Sequence, residues 1–103
     1  MKSYNIFVYG TLILPAVQQQ VLQRVVDMQP DTLSGYAQKL VRINGVDYPA
    51  AEPHATSKIK GKLFQDITKS ELVLLDNYET SAYQRKLVKL GSGCLAWVYC
   101  RAD

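Results

Sequence analysis

Histidine occurs once in this chain, tryptophan once, cysteine twice and proline only four times among 103 residues. Each scarcity removes a class of chemistry. One histidine and two cysteines outside any Cys-x-x-Cys pair do not make a metal site. Cys94 and Cys100 share a face of a strand-like run but stand roughly 20 Å apart at about 3.3 Å per residue. A disulfide needs Cα atoms within about 7 Å, so no internal bridge is expected, as suits a reducing cytosol. His54 has no visible partner and reads as a loop or surface residue. No Ser/His/Asp order, His-Glu-x-x-His motif or Cys-His nucleophile pair can be found, and neither a phosphate-loop lysine nor a Gly-x-Gly-x-x-Gly run is present. No apolar run approaches transmembrane length, and the first twelve residues lack a signal-peptide core. The expectation is a soluble cytoplasmic protein.

What is there belongs to an ordinary folded domain. Hydrophobic residues make up 48% and charged residues 20%, the balance of a globular chain and not of a disordered one. A chain of this size is expected to form one domain spanning residues 1–103 and to bury somewhat over roughly 60% of its unfolded surface. The net charge is +3. Residues 1–57 carry four charges of each sign, so the surplus lies wholly in residues 58–103. Lys58, Lys60 and Lys62 alternate with Ile59, Gly61 and Leu63, the pattern of a solvated strand face. Aromatic residues do not interleave with them, and a nucleic-acid partner is not expected.

Tyr4–Tyr9 reads as a first strand ending at Gly10. Leu14, Val17, Val21 and Val25 form one stripe, so residues 14–26 read as an amphipathic helix with Pro15 in its first turn. Gln18 projects close to that stripe. Leu33–Ile43 and Val46–Ala50 flank Asn44-Gly45, a strong hairpin signal. Lys58–Phe64 reads as a further strand, broken at Asp66. Thr68 and Glu71 form a capping box, so a second helix is expected from about Thr68. Tyr83–Leu90 and Leu95–Arg101 close the chain as a hairpin across Gly91-Ser92-Gly93. The fold class is therefore α+β: a mainly antiparallel or mixed sheet of about six strands, barrel-like, with two helices.

Two places suit chemistry. Tyr9-Gly10-Thr11-Leu12 lies between strand and helix, where Gly10 permits a sharp turn and close approach to the main chain. Its amides can serve an anion such as a carboxylate, or the segment is a plain connecting turn. Glu79 falls between Leu72 and Leu75 on the second helix. If that helix reaches it, the carboxylate faces the core at a helix C-terminus, and both burial and the dipole raise its pKa toward the range of a general base. If the helix stops at Tyr78, Glu79 is a solvated loop residue. Tyr48-Pro49-Ala50 either lines a cavity or ends a strand. Tyr83 and Arg85 open a strand, with Asp76, Glu79 or solvent open to Arg85. The segment Glu52–Ser57 is expected among the loops at the pocket rim.

Taken together these residues resemble the gamma-glutamylcyclotransferase family, and in particular its small gamma-glutamylamine cyclotransferase and avirulence-induced-gene-like members. The matching elements are Val8–Leu12, Tyr48–Ala50, Lys60–Phe64, Leu75–Glu79 and Tyr83–Arg85, in family order over nearly the whole chain. One residue departs: Thr80 stands where the family usually has glycine. The resemblance implies a compact barrel-like fold with its pocket at the Tyr9–Leu12 loop. It implies Glu79 as catalytic acid/base, substrate contacts from Tyr9, Gly10, Thr11, Leu12, Tyr48, Pro49 and Tyr83, and no metal or cofactor. The implied reaction folds a γ-glutamyl substrate so that its α-amine attacks its own γ-carbonyl, giving 5-oxoproline and a released amine or amino acid. Removal of a γ-glutamyl protecting group by the same ring closure is a related reading. A binder of the same fold that has lost turnover is the competing one, and Thr80 is the residue that raises it.

Overall fold

The computed structural model describes residues 3–79 and 83–101. The elements, in chain order, are β1 (Tyr4–Val8), a single 3-10 turn (Thr11–Ile13), α1 (Pro15–Leu22), β2 (Met28–Ile43), β3 (Val46–Ile67), α2 (Lys69–Glu79), β4 (Tyr83–Lys89) and β5 (Leu95–Arg101). Ile6, Phe7 and Val8 are all buried. Burial of consecutive strand residues means that both faces of β1 are covered, and β1 lies at the centre of the sheet, in the order β2-β3-β1-β5-β4. Ile6 and Val8 face a core under the helices with Phe64, Leu72 and Leu75. Phe7 faces a second core with Leu33, Leu63 and Val98.

The sheet is mixed and mainly antiparallel. β1 runs antiparallel to β3 and parallel to β5, and β3 meets β5 again at Ala51 and Cys100. That second meeting curls the five strands into a half-barrel. Five strands form where six were expected because Val46–Ala50 and Lys58–Phe64 belong to one strand of 22 residues. The register against β2 jumps from Ser34↔Lys58 to Tyr36↔Pro53, so His54–Ser57 bulge out of a strand that otherwise continues. Gly35, at φ +83°, absorbs the matching bend in β2. Asp66 does not end β3; it takes a left-handed φ of 59° at a bulge, and pairing resumes at Ile67.

Helix α1 is shorter than its hydrophobic stripe predicts. Gln23 adopts φ 62° and ends it, which leaves Val25 outside the helix and exposed; Leu14, the N-cap, is exposed at the other end. The buried face instead carries Leu22 and the fully buried Gln18. The Gln18 carboxamide accepts from Val26 N at 2.9 Å and donates to the Ile13 carbonyl at 3.2 Å. A single polar side chain thus ties both ends of α1 to the core. Helix α2 starts as its capping box dictates: Glu71 N donates to Thr68 Oγ1 at 3.1 Å and Thr68 N to Glu71 Oε1 at 3.0 Å. Arg24 adds two bonds to the same carboxylate, at 2.6 and 2.9 Å, and these bonds hold Glu71 below the usual carboxylate pKa.

Candidate active site

Where β1 stops at Val8, the chain leaves the sheet through Tyr9–Leu12, and the Tyr9 ring fills the gap between β3 and β5. The Tyr9 hydroxyl donates to the Tyr99 carbonyl at 2.6 Å and accepts from Ala51 N at 2.8 Å. Burial raises its phenol far above the ordinary value. Both hydrogen-bonding roles of this side chain are therefore spent on holding the loop. Gly10 makes its turn at φ −113°, not in the left-handed region. A Cβ there would sit 3.7 Å from Pro49 Cγ, in ordinary contact, so the glycine contributes bare backbone on a wall and not a special conformation. The bonds of the following turn begin with Ile13 N to Gly10 O and Leu14 N to Thr11 O. The amides of Thr11 and Leu12 have no partner within it.

Helix α2 reaches Glu79 as its last residue, and the capping box explains its register. Glu79 is half-buried, and burial pushes its carboxyl up to about 7 from an ordinary 4.5. Burial accounts for the shift; the helix C-terminus acts in the same direction. The neighbouring Tyr78 hydroxyl lies 3.0 Å from Thr11 Oγ1, bridging helix and loop. On the far side, Tyr83 at the start of β4 donates to the Pro49 carbonyl at 2.8 Å. Burial, followed by the charge of Glu79, raises the Tyr83 phenol.

These groups enclose a cavity of about 470 Å³. All eight residues singled out in the sequence line it: Tyr9, Gly10, Thr11, Leu12, Tyr48, Pro49, Glu79 and Tyr83. Among the described lining residues Glu79 is the one charged side chain. Phe7, Val8, Asn44, Tyr78 and Tyr99 complete the wall and were missed from the sequence. Tyr78 carried a signal, being next to Glu79. Tyr99 carried little, because only the parallel β1–β5 pairing brings it to the Tyr9 loop. Asn44 and Tyr48 of the β2–β3 hairpin are exposed lining residues. Glu52–Ser57 lies within β3 and does not line the cavity, since the bulge carries it elsewhere. His54 is part of that bulge, its Nδ1 2.9 Å from Ser57 Oγ. Arg85 pairs with Asp76 through Nε–Oδ1 at 2.7 Å and Nη2–Oδ2 at 3.1 Å.

A family model described as "Gamma-glutamyl cyclotransferase, AIG2-like" matches residues 6–103. The chain belongs to this family. Among AIG2-like relatives of Arabidopsis thaliana, AIG2-like protein C is 40% identical over 88 residues, covering 85% of this chain and 50% of the relative. Protein AIG2 C is 33% identical over 89 residues, covering 86% and 53%. The chain thus spans about half the length of the curated relatives it matches. An Arabidopsis thaliana protein solved in solution superposes with a TM-score of 0.83 at 28% identity, over 98% of this chain and 63% of the other. A structure titled gamma-glutamyl cyclotransferase gives 0.80 at 14% identity, over 99% and 68%, a likeness of fold. Thr80, the departure from the AIG2-like pattern, lies outside the described residues. Among the described residues no cluster of His, Cys, Asp and Glu could hold a metal ion, and no helix is long and apolar enough to cross a membrane.

Proposed function

We propose that this AIG2-like protein is a gamma-glutamylcyclotransferase acting on a small γ-glutamyl amine or amino acid, with Glu79 as general acid and base. The observation that carries this reading is a half-buried carboxyl, raised to about 7, in a cavity bordered by the Tyr9–Leu12 loop. A base of that pKa is half ionised at neutral pH, close to the optimum for taking and returning a proton. Glu79 removes a proton from the substrate's α-ammonium. The freed nitrogen attacks the γ-carbonyl carbon and closes a five-membered ring. The amides of Thr11 and Leu12 offer donors to the substrate carboxylate or to the oxyanion that develops. Glu79 then returns its proton to the leaving nitrogen as the original amide bond breaks. Atoms balance without water: the ring nitrogen gives up its second proton to Glu79, which passes it to the released amine, so the α-ammonium substrate gives 5-oxoproline, an ammonium product and Glu79 back in its base form. Nucleophile and leaving group both belong to the substrate, so the chemistry calls for no cofactor.

Purified protein incubated with a panel of γ-glutamyl amines and γ-glutamyl amino acids is expected to release 5-oxoproline. Glu79→Gln is expected to lower kcat by at least about a hundredfold, in the range of lost general acid–base catalysis. Full activity in Glu79→Gln would sink the mechanism. Binding of panel members without turnover would favour the non-catalytic binder.

A further inference from the structure

Asp76 stands one helical turn before Glu79 on α2 and does not line the 470 Å³ cavity. It borders a separate depression with Tyr83, Arg85, Trp97 and Tyr99. Its carboxylate receives the two Arg85 bonds and a third from the Tyr99 hydroxyl at 2.7 Å. Arg85 is itself steadied, its guanidinium carbon 4.7 Å from the centre of the Trp97 ring. β4 and β5 therefore grip the last turn of α2 through charge-assisted bonds, which are stronger and more directional than neutral ones. The same Tyr99 offers its carbonyl to the Tyr9 hydroxyl, which in turn takes Ala51 N. A continuous path of hydrogen bonds runs from the helix end that carries Glu79 to the loop it faces.

Glu79 needs such a hold. It is the terminal residue of its helix, and helix ends fray because their last carbonyls lack intrahelical partners. Residues three apart lie on one side of a helix, so a grip on Asp76 constrains the turn that aims Glu79. We infer that Asp76, bonded by Arg85 and Tyr99, is a positioning residue that keeps the Glu79 carboxylate inside the cavity and facing the Tyr9–Leu12 loop. The inference rests on the reading of Glu79 as the acid/base. The ionisable groups lining the cavity around Glu79 are all tyrosines: Tyr9 from the loop, Tyr48 from β3, Tyr78 from α2, Tyr83 from β4 and Tyr99 from β5. Burial alone would raise the Asp76 carboxyl, but its bonds from Arg85 and Tyr99 outweigh burial and keep it ionised.

The test is a carbon-13 titration of the full chain labelled at its glutamate carboxyls, with Glu79 assigned through Glu79→Gln. Wild-type Glu79 is expected to titrate near 7. In Asp76→Asn and Tyr99→Phe it is expected to fall by about one unit or more as the carboxyl swings into water. Tyr99→Phe changes no charge, so a shift there reports position. Arg85→Lys keeps the charge, loses the fork and is expected to fall between. Glu71, at the other end of α2, should keep its own titration in every variant that folds. kcat should drop about tenfold or more with KM unchanged, as when a reacting group is misplaced. Glu79 still titrating near 7 in both Asp76→Asn and Tyr99→Phe would overturn the inference. So would Glu71 moving together with Glu79 in both, because the network would then brace the whole fold. Absence of 5-oxoproline formation by the wild type, with the Glu79 shifts intact, removes the cyclotransferase reading and leaves the positioning role standing.

Discussion

Glu79 concentrates the chemistry of this molecule in one titratable group, and its environment sets the pH at which that group works. Its base form is present above about pH 7. Below that pH, kcat/KM for a γ-glutamyl substrate is expected to fall about tenfold per unit, with the acidic limb reporting the free protein's Glu79. A limb near 4.5 would mean that the carboxyl is solvated in the free protein. The identity of this residue was open to sequence reasoning because its spacing from Leu72 and Leu75 put it on the buried side of α2. Its surroundings were less open. Tyr99 arrives from β5, twenty residues along the chain, and no local pattern announces that it will sit beside the Tyr9 loop.

At the level of elements, two short stretches carry more than their length suggests. Gly61 lies where β3 passes against β1: a Cβ built there meets the Val8 carbonyl oxygen and stands 2.7 Å from Phe7 Cζ. Gly61→Ala is expected to destabilise the fold by about 2–3 kcal/mol, the cost of overpacking a site that cannot yield, read as a lower urea midpoint at unchanged m. The same contact borders the wall formed by Phe7 and Val8, so its strain is expected to reach the cavity. The capping box of α2 is the second stretch. Thr68→Ala removes the acceptor for Glu71 N and is expected to cost about 1 kcal/mol, measured by the same unfolding midpoint. Thr68 and Glu71 were legible in the sequence because capping is a local rule. The end of α1 was not, because it depends on Gln23 turning left-handed while Gln18 reaches across eight residues to Val26. The long β3 was read as two strands for a similar reason: Pro49 and Glu52–Ser57 look like breaks, and only pairing with β2 keeps Pro49 in the ladder opposite Leu40 and makes His54–Ser57 a bulge.

For the molecule as a whole, the titrating carboxyls pull stability in two directions. Asp31, Glu71 and Asp76 have depressed values in the fold. For Glu71 the Arg24 bonds are the main cause; for Asp31 and Asp76, hydrogen bonds from Ser92 and Thr32, and from Arg85 and Tyr99, outweigh burial. Their contribution is complete above the ordinary carboxylate range and is lost as pH falls through the folded values. Glu79 works the other way. Its folded value of about 7 exceeds 4.5, so its contribution is complete below 4.5 and is lost as pH rises through 7. Thermal stability is expected to peak near pH 4.5, to fall as pH rises to about 7 and to level off above it. Glu79→Gln should remove the decline between pH 4.5 and 7 and leave the acid one, checked by Tm across pH 3–9. A decline of equal size in Glu79→Gln would show that another group causes it. The variant that loses turnover is thus expected to gain stability at pH 8, a trade between holding an ion in a cavity and using it.

The sequence by itself determined the elements that follow local rules: a first strand ending at Gly10, the Asn44-Gly45 hairpin, the capped start of α2, and an inward place for Glu79 once that helix reaches it. Those rules act over a few residues, where spacing and propensity suffice. The tertiary structure decided what depends on distant pairing. It joined two expected strands into one curled β3 and set β5 beside β1. It spent the Tyr9 hydroxyl on the frame and braced Asp76 from two strands. Such contacts balance burial, hydrogen bonding and chain entropy over the whole chain, and no local stretch of sequence contains that balance.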